Sequence, residues 1–171
     1  MTNLSTKKLT VAALLCAVAI VGSLFSIPVL GSRCAPVQHL VNVLCAVFLG
    51  PFYGVAVAFG ASLLRNLFGL GSLMAFPGSM IGALLCGLVY RQTGALRPTL
   101  LAEVFGTGIL GGLCAYPIAI LLMGKVVGEV AFYAYVIPFL ISTVGGCLIA
   151  YILLHSLNRT GALKRLQNML R

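Results

Sequence analysis

The chain has 171 residues, of which 61% are hydrophobic and only 8% are charged, and its mean hydropathy is +1.13. A soluble domain carries about 25% charged residues, because charge keeps its surface in water. This composition excludes a soluble enzyme, a disordered chain and a disulfide scaffold, and it predicts a protein of the lipid bilayer. The net charge of +9 does not indicate a nucleic-acid partner, because the basic residues fall between the apolar stretches, as in membrane proteins.

Six apolar runs follow one another along the chain and predict an all-α membrane protein with six transmembrane helices. Lys7 and Lys8 precede the first run, Leu9–Leu30, which is longer than a signal-peptide core and is expected to be a retained span. Gly50-Pro51 separates the second run from the third, because proline removes a backbone donor and clashes with the preceding turn. Each of these two helices is too short to cross about 30 Å of hydrocarbon alone. The runs are 9–30, 37–49, 52–64, 73–90, 99–123 and 130–157.

The basic residues predict that both termini are cytoplasmic. With six crossings and the N-terminus inside, eight Lys and Arg residues are cytoplasmic and three, Arg33, Arg65 and Lys125, are outside. Residues 1–171 are expected to form a single integral membrane domain: a cytoplasmic tail (1–8), a six-helix bundle (9–157) and a basic cytoplasmic tail (158–171). Within the bundle, Gly78-x-x-x-Gly82 and Gly108-x-x-x-Gly112 predict close helix packing.

No arrangement of residues predicts an enzyme, a cofactor site or a metal site. Ser79 and His155 are expected about 30 Å apart along the membrane normal, too far for proton transfer. Gly124-Lys125-Val126 lacks the first glycine and the hydroxyl of an ATP-binding loop. Cys34 and His39 have no third metal ligand near them.

Polar residues placed toward the outer side are the candidates for ligand binding. Such side chains are costly in lipid, so they usually face inward and pair with each other or bind something. Gln38 and Asn42 are four positions apart and share one helix face. Interhelical hydrogen bonds or interface anchoring remain alternatives for each member of the set. The candidates are Gln38, His39, Asn42, Arg65, Asn66, Tyr116, Tyr133, Tyr135 and Ser142.

Glu103 and Glu129 are the two acidic residues of the chain. Glu103 is expected near Arg97 and Arg91, in a structural salt bridge, and Glu129 at the outer start of the sixth helix, as a cap or a partner of Lys125. Neither is an obvious carboxylate at the membrane midplane, which argues against a stand-alone proton-coupled carrier.

Several motifs resemble those of the substrate-binding S components of energy-coupling-factor (ECF) vitamin transporters. The resemblance covers about residues 7–160 and includes Ala13-x-x-x-Ala17, Leu49-Gly50-Pro51 and Leu64-Arg65-Asn66. Gln38-His39-x-x-Asn42-Val43 and Ala75-Phe76-Pro77-Gly78-Ser79 are similar to the ThiW subfamily, proposed for the thiazole precursor of thiamine.

The resemblance implies a multi-pass protein of the prokaryotic cell membrane, in contact with membrane lipid. It would capture a hydroxyethylthiazole-like precursor from outside and dock through Ala13 and Ala17 on an energising module, a transmembrane T component with two ATPase subunits. The alternatives are an S component for another small vitamin, or a structural membrane subunit that transports nothing. Arg33 and Arg65 also leave an anionic ligand, such as a phosphorylated thiazole, open.

Overall fold

The computed structural model describes residues 2–29, 32–126 and 131–170, without the side chains of 2–5, 28–29 and 32–33. Within these ranges the chain is almost entirely helical, with one two-stranded hairpin. The elements are α1 (Thr2–Gly22), a 3₁₀ turn (Ser23–Phe25), β1 (Ile27–Val29), β2 (Ser32–Cys34), α2 (Pro36–Phe48), α3 (Pro51–Leu67), α4 (Ala75–Thr93), α5 (Leu96–Glu103), a π-helical segment (Val104–Gly111), α6 (Gly112–Met123), α7 (Val136–Arg159) and α8 (Ala162–Met169).

The predicted break between the second and third apolar runs is confirmed. Gly50 has a φ of 88°, a conformation that favours glycine, and Pro51 begins α3, where its missing N–H costs nothing. At 1.5 Å per residue, the 13 residues of α2 extend about 20 Å and the 17 of α3 about 26 Å. The short α2 lies centrally, in contact with α1, α3, α4, α5, α7 and α8.

The prediction of one helix from Leu9 to Leu30 is wrong at its C-terminal end. The helix ends at Gly22, and the chain turns into the β1–β2 hairpin, in which Ile27 pairs with Cys34. Gly22 packs directly against Val37 of α2, and Ser26 is extended. Pro28 cannot donate a helical hydrogen bond, so the apolar sequence continues as an extended segment.

The fifth apolar run folds as one continuous helical stretch, α5, the π-helical segment and α6, whose glycines pack closely on α4. A side-chain carbon at Gly111 would overlap the Cα of Gly78, and one at Gly106 would lie 3.0 Å from the Cα of Gly82. Gly108 is in similarly close contact with α7. The small-residue spacing therefore serves helix packing inside this chain, as predicted.

Large apolar side chains cover the outside of the bundle, among them Leu14, Phe52 and Leu121. Within the described residues, three helical stretches are long and apolar enough to cross a membrane, namely Thr6–Phe25, Leu96–Met123 and Val136–Arg159. The exposed surface and these stretches fit a membrane protein. Six crossings and cytoplasmic termini remain predictions.

The segment predicted as a basic C-terminal tail contains a helix, α8. It has an apolar and a basic side, and it packs against the C-terminal ends of α2 and α4. Gln167 Nε2 donates to the hydroxyl of Tyr90 (2.9 Å) and to the carbonyl of Val47 (3.3 Å).

Candidate functional site

Three polar residues of α2 point into the protein and begin the site. Gln38, His39 and Asn42 are all buried, and Asn42 has no exposed surface. Gln38 Nε2 donates to Asn42 Oδ1 at 3.3 Å, as their spacing of four residues predicts. The polar face of α2 thus forms part of the protein interior.

The last turn of α3 contains Arg65 and Asn66, whose side chains bond different parts of the protein. Arg65 is 4% exposed, and its Nη1 donates to Gln38 Oε1 at 3.3 Å. Asn66 Nδ2 donates to the carbonyls of Ser62 (2.8 Å) and Ser72 (3.2 Å). Asn66 therefore fastens the loop between α3 and α4, whereas Arg65 joins the polar cluster of α2.

The cluster contains a carboxylate that the sequence analysis did not assign to it. Glu103 is fully buried, and its Oε1 accepts a hydrogen bond from Asn42 Nδ2 (2.9 Å). The same oxygen lies 3.1 Å from Thr107 Oγ1 and 3.1 Å from His39 Nδ1. Gly82 makes room for it, since a side-chain carbon there would lie 2.8 Å from Glu103 Oε2 and overlap Thr107 Oγ1.

The predicted salt bridge of Glu103 with Arg97 or Arg91 is wrong. Both arginines are exposed, while Glu103 faces α2 and α4. Arg97 and Glu103 are six positions apart on the helix and so point about 120° apart, at 3.6 residues per turn. A lone carboxylate inside an apolar run was the available signal, because such a residue normally faces the bundle interior.

A small cavity of about 40 Å³ opens beside this cluster and reaches the protein surface. Four of the predicted ligand residues line it, and Asn42 lies behind it, donating to the carbonyl of Ser79 at 3.2 Å. Phe139 adds an aromatic wall, and Ser142 Oγ accepts the backbone N–H of Ala35 at 2.9 Å. The lining residues are Ala35, Gln38, His39, Arg65, Ser72, Ala75, Ser79, Thr107, Phe139 and Ser142.

The three predicted tyrosines do not line this cavity. Tyr133 precedes α7, is 55% exposed and packs edge-on against Phe132. Tyr116 and Tyr135 pack in an apolar cluster with Phe139 and so back the cavity wall. Their contact with a ligand remains a prediction, as does that of Asn66.

Other predicted positions lie away from the cavity or beyond the described residues. Ala13 and Ala17 are exposed on α1, whereas Ala12 and Ala19 of the same helix are buried in the bundle. Glu129 lies outside the described residues. Within those residues, no group of three or more His, Cys, Asp or Glu side chains is placed to hold a metal ion.

The fold and the site define a helical membrane protein with a small cavity among buried polar side chains. The family model described as thiamine-precursor transporter protein (ThiW) matches residues 9–160, and the chain belongs to this family. The resemblance found in the sequence motifs is thus confirmed, and the family indicates thiamine-precursor transport across a membrane. No curated protein is significantly similar to the chain.

Proposed function

We propose that this chain is the substrate-binding S component of an ATP-driven uptake transporter, which binds a hydroxyethylthiazole-like precursor of thiamine. The observation that carries the proposal is the cavity lined by Gln38, His39, Arg65 and Ser142. A neutral heteroaromatic alcohol needs an aromatic wall, donors for its ring nitrogen and a partner for its hydroxyl. The cavity offers Phe139 as the wall, with donors and an acceptor around it.

Binding without chemistry suits this site better than catalysis. Ser79 and His39 line the cavity and Glu103 contacts His39, so the side-chain types of a hydrolytic triad occur close together. Ser79 Oγ, however, bonds the carbonyl of Ala75 (2.8 Å) and Ser62 Oγ (3.0 Å). Among the described residues no hydrogen bond joins Ser79 to His39, so no base is in place to activate the hydroxyl.

Docking on a separate energising module is supported by the outward position of Ala13 and Ala17. An exposed stripe of small residues lets the helix of another subunit approach closely. In this proposal the ATPase subunits are separate chains. A multi-pass location in the prokaryotic cell membrane, six crossings and a single membrane domain belong to the same proposal.

Uptake of radiolabelled hydroxyethylthiazole tests this function in cells that express the chain with an energising module. We expect uptake to need both the chain and catalytically competent ATPase subunits. Cells with inactivated ATPase subunits serve as the matched control. Undiminished uptake in that control would identify a stand-alone carrier, and absence of uptake with the full complex would reject the thiazole.

A further inference from the structure

The contacts of Glu103 Oε1 indicate which ring nitrogen of His39 carries a hydrogen. This oxygen accepts from Asn42 Nδ2 and also contacts Thr107 Oγ1 and His39 Nδ1. An ionised carboxylate only accepts hydrogen bonds. Beside an ionised Glu103, His39 Nδ1 carries a hydrogen and donates it to the carboxylate.

A directed chain of amides connects this carboxylate to Arg65. Asn42 Nδ2 contacts two acceptors, Glu103 Oε1 and the carbonyl of Ser79, so this atom is the nitrogen of the amide. Its oxygen then faces Gln38 Nε2, and the oxygen of Gln38 faces Arg65 Nη1. Both amides, of Asn42 and Gln38, therefore point their NH₂ group toward the Glu103 side and their oxygen toward the Arg65 side.

Glu103 decides which ring nitrogen of His39 carries the hydrogen, because the carboxylate faces Nδ1. Neutral His39 donates from Nδ1 and therefore has a lone pair on Nε2. No hydrogen bond within the described residues occupies Nε2, and His39 lines the cavity.

We propose that Glu103 is a positioning residue that makes His39 Nε2 an acceptor, so that this end of the cavity selects a ligand with a hydroxyl or amino donor. The inference rests on the proposed function and specifies its ligand class. Neutral hydroxyethylthiazole has one donor, its hydroxyl, because the ring nitrogen only accepts. The hydroxyl consequently binds at His39, and the ring nitrogen faces the donors of the cavity.

Nitrogen NMR of histidine-labelled protein tests the tautomer without any ligand. The chain has two histidines, so His155→Gln leaves His39 as the only signal, and His155 is exposed and stacks on Tyr151. We expect a protonated Nδ1 and an unprotonated Nε2. We expect Glu103→Gln to retain this state, because its amide oxygen still accepts, and Glu103→Leu to lose it. A protonated Nε2 in the His155→Gln protein, or an unchanged tautomer in folded Glu103→Leu, would overturn the proposal.

A pair of ligands tests the selectivity. Hydroxyethylthiazole and its deoxy analogue, 5-ethyl-4-methylthiazole, differ only in the hydroxyl, whose hydrogen bond contributes roughly 5- to 10-fold in affinity. We expect this ratio in the native protein and in Glu103→Gln, and a ratio within about twofold in Glu103→Leu. A purely structural role of Glu103 would weaken both ligands equally.

Equal binding of the two thiazoles by the native protein would overturn the subsite while leaving the proposed function intact. If neither thiazole binds the folded protein, the proposed ligand is rejected. The tautomer measurement then still decides whether Glu103 positions His39.

Discussion

Replacing Asn42 with alanine removes the side chain that joins α2 to both α4 and Glu103. The side chain has no exposed surface, so water does not replace its bonds to Gln38, Ser79 and Glu103. Each buried group left without a partner costs about 1–3 kcal/mol, whereas single interhelical bonds in membranes average about 0.6 kcal/mol. His39 and Thr107 still donate to Glu103. We therefore expect a loss of about 3 kcal/mol in the free energy of unfolding.

The native cysteines provide the assay for this variant. Cys45 and Cys86 are buried free thiols in α2 and α4, so a thiol-reactive dye reports unfolding in detergent. A loss of about 3 kcal/mol corresponds to a fall in Tm of about 6–12 °C for a chain of this size. The matched control is Asn158→Ala, since Asn158 is exposed at the end of α7. Because Asn42 orients Gln38 at the cavity, affinity for hydroxyethylthiazole should fall roughly 5- to 50-fold. Equal Tm and affinity in the two variants would refute the role of Asn42.

Three further variants or probes test the packing, the docking face and the topology. Gly82→Ala places a methyl group against Glu103, so we expect it to destabilise the protein by about 1–3 kcal/mol, measured by the same dye assay. Ala13→Trp should abolish ATP-dependent uptake but leave ligand binding and Tm unchanged. Ala19→Trp, on the buried side of α1, should lower Tm and ligand binding together. Full uptake with Ala13→Trp would exclude docking through this face. A cysteine introduced at Ser32 should react with an impermeant thiol reagent from outside and one at Gln92 should not; labelling at Gln92 would contradict the six-span topology.

The parts of the fold that local chemistry determines could be predicted from the sequence. Gly50-Pro51 ends one helix and begins the next through backbone conformation alone. The spacing of Gln38 and Asn42 predicted their common face, and the cavity beside it includes Arg65 and Ser142.

The parts that depend on tertiary packing could not be predicted in the same way. Hydropathy alone does not distinguish a helix from an extended segment, so the hairpin after Gly22 was missed. Glu103 was expected to pair with arginines that are close to it in the sequence. Its partner His39 instead lies on another helix, 64 positions away. Tyr133 was expected inside the last long helix, which begins only at Val136.

Equilibrium titration of the purified protein with hydroxyethylthiazole tests the central claim, that the cavity beside α2 binds a thiamine precursor. We expect saturable binding at one site per chain. His39→Gln should weaken it, while His155→Gln, at the opposite end of the protein, should leave it unchanged. Absence of saturable binding by folded protein, or equal binding by both histidine variants, would contradict the assignment of the ligand to this cavity.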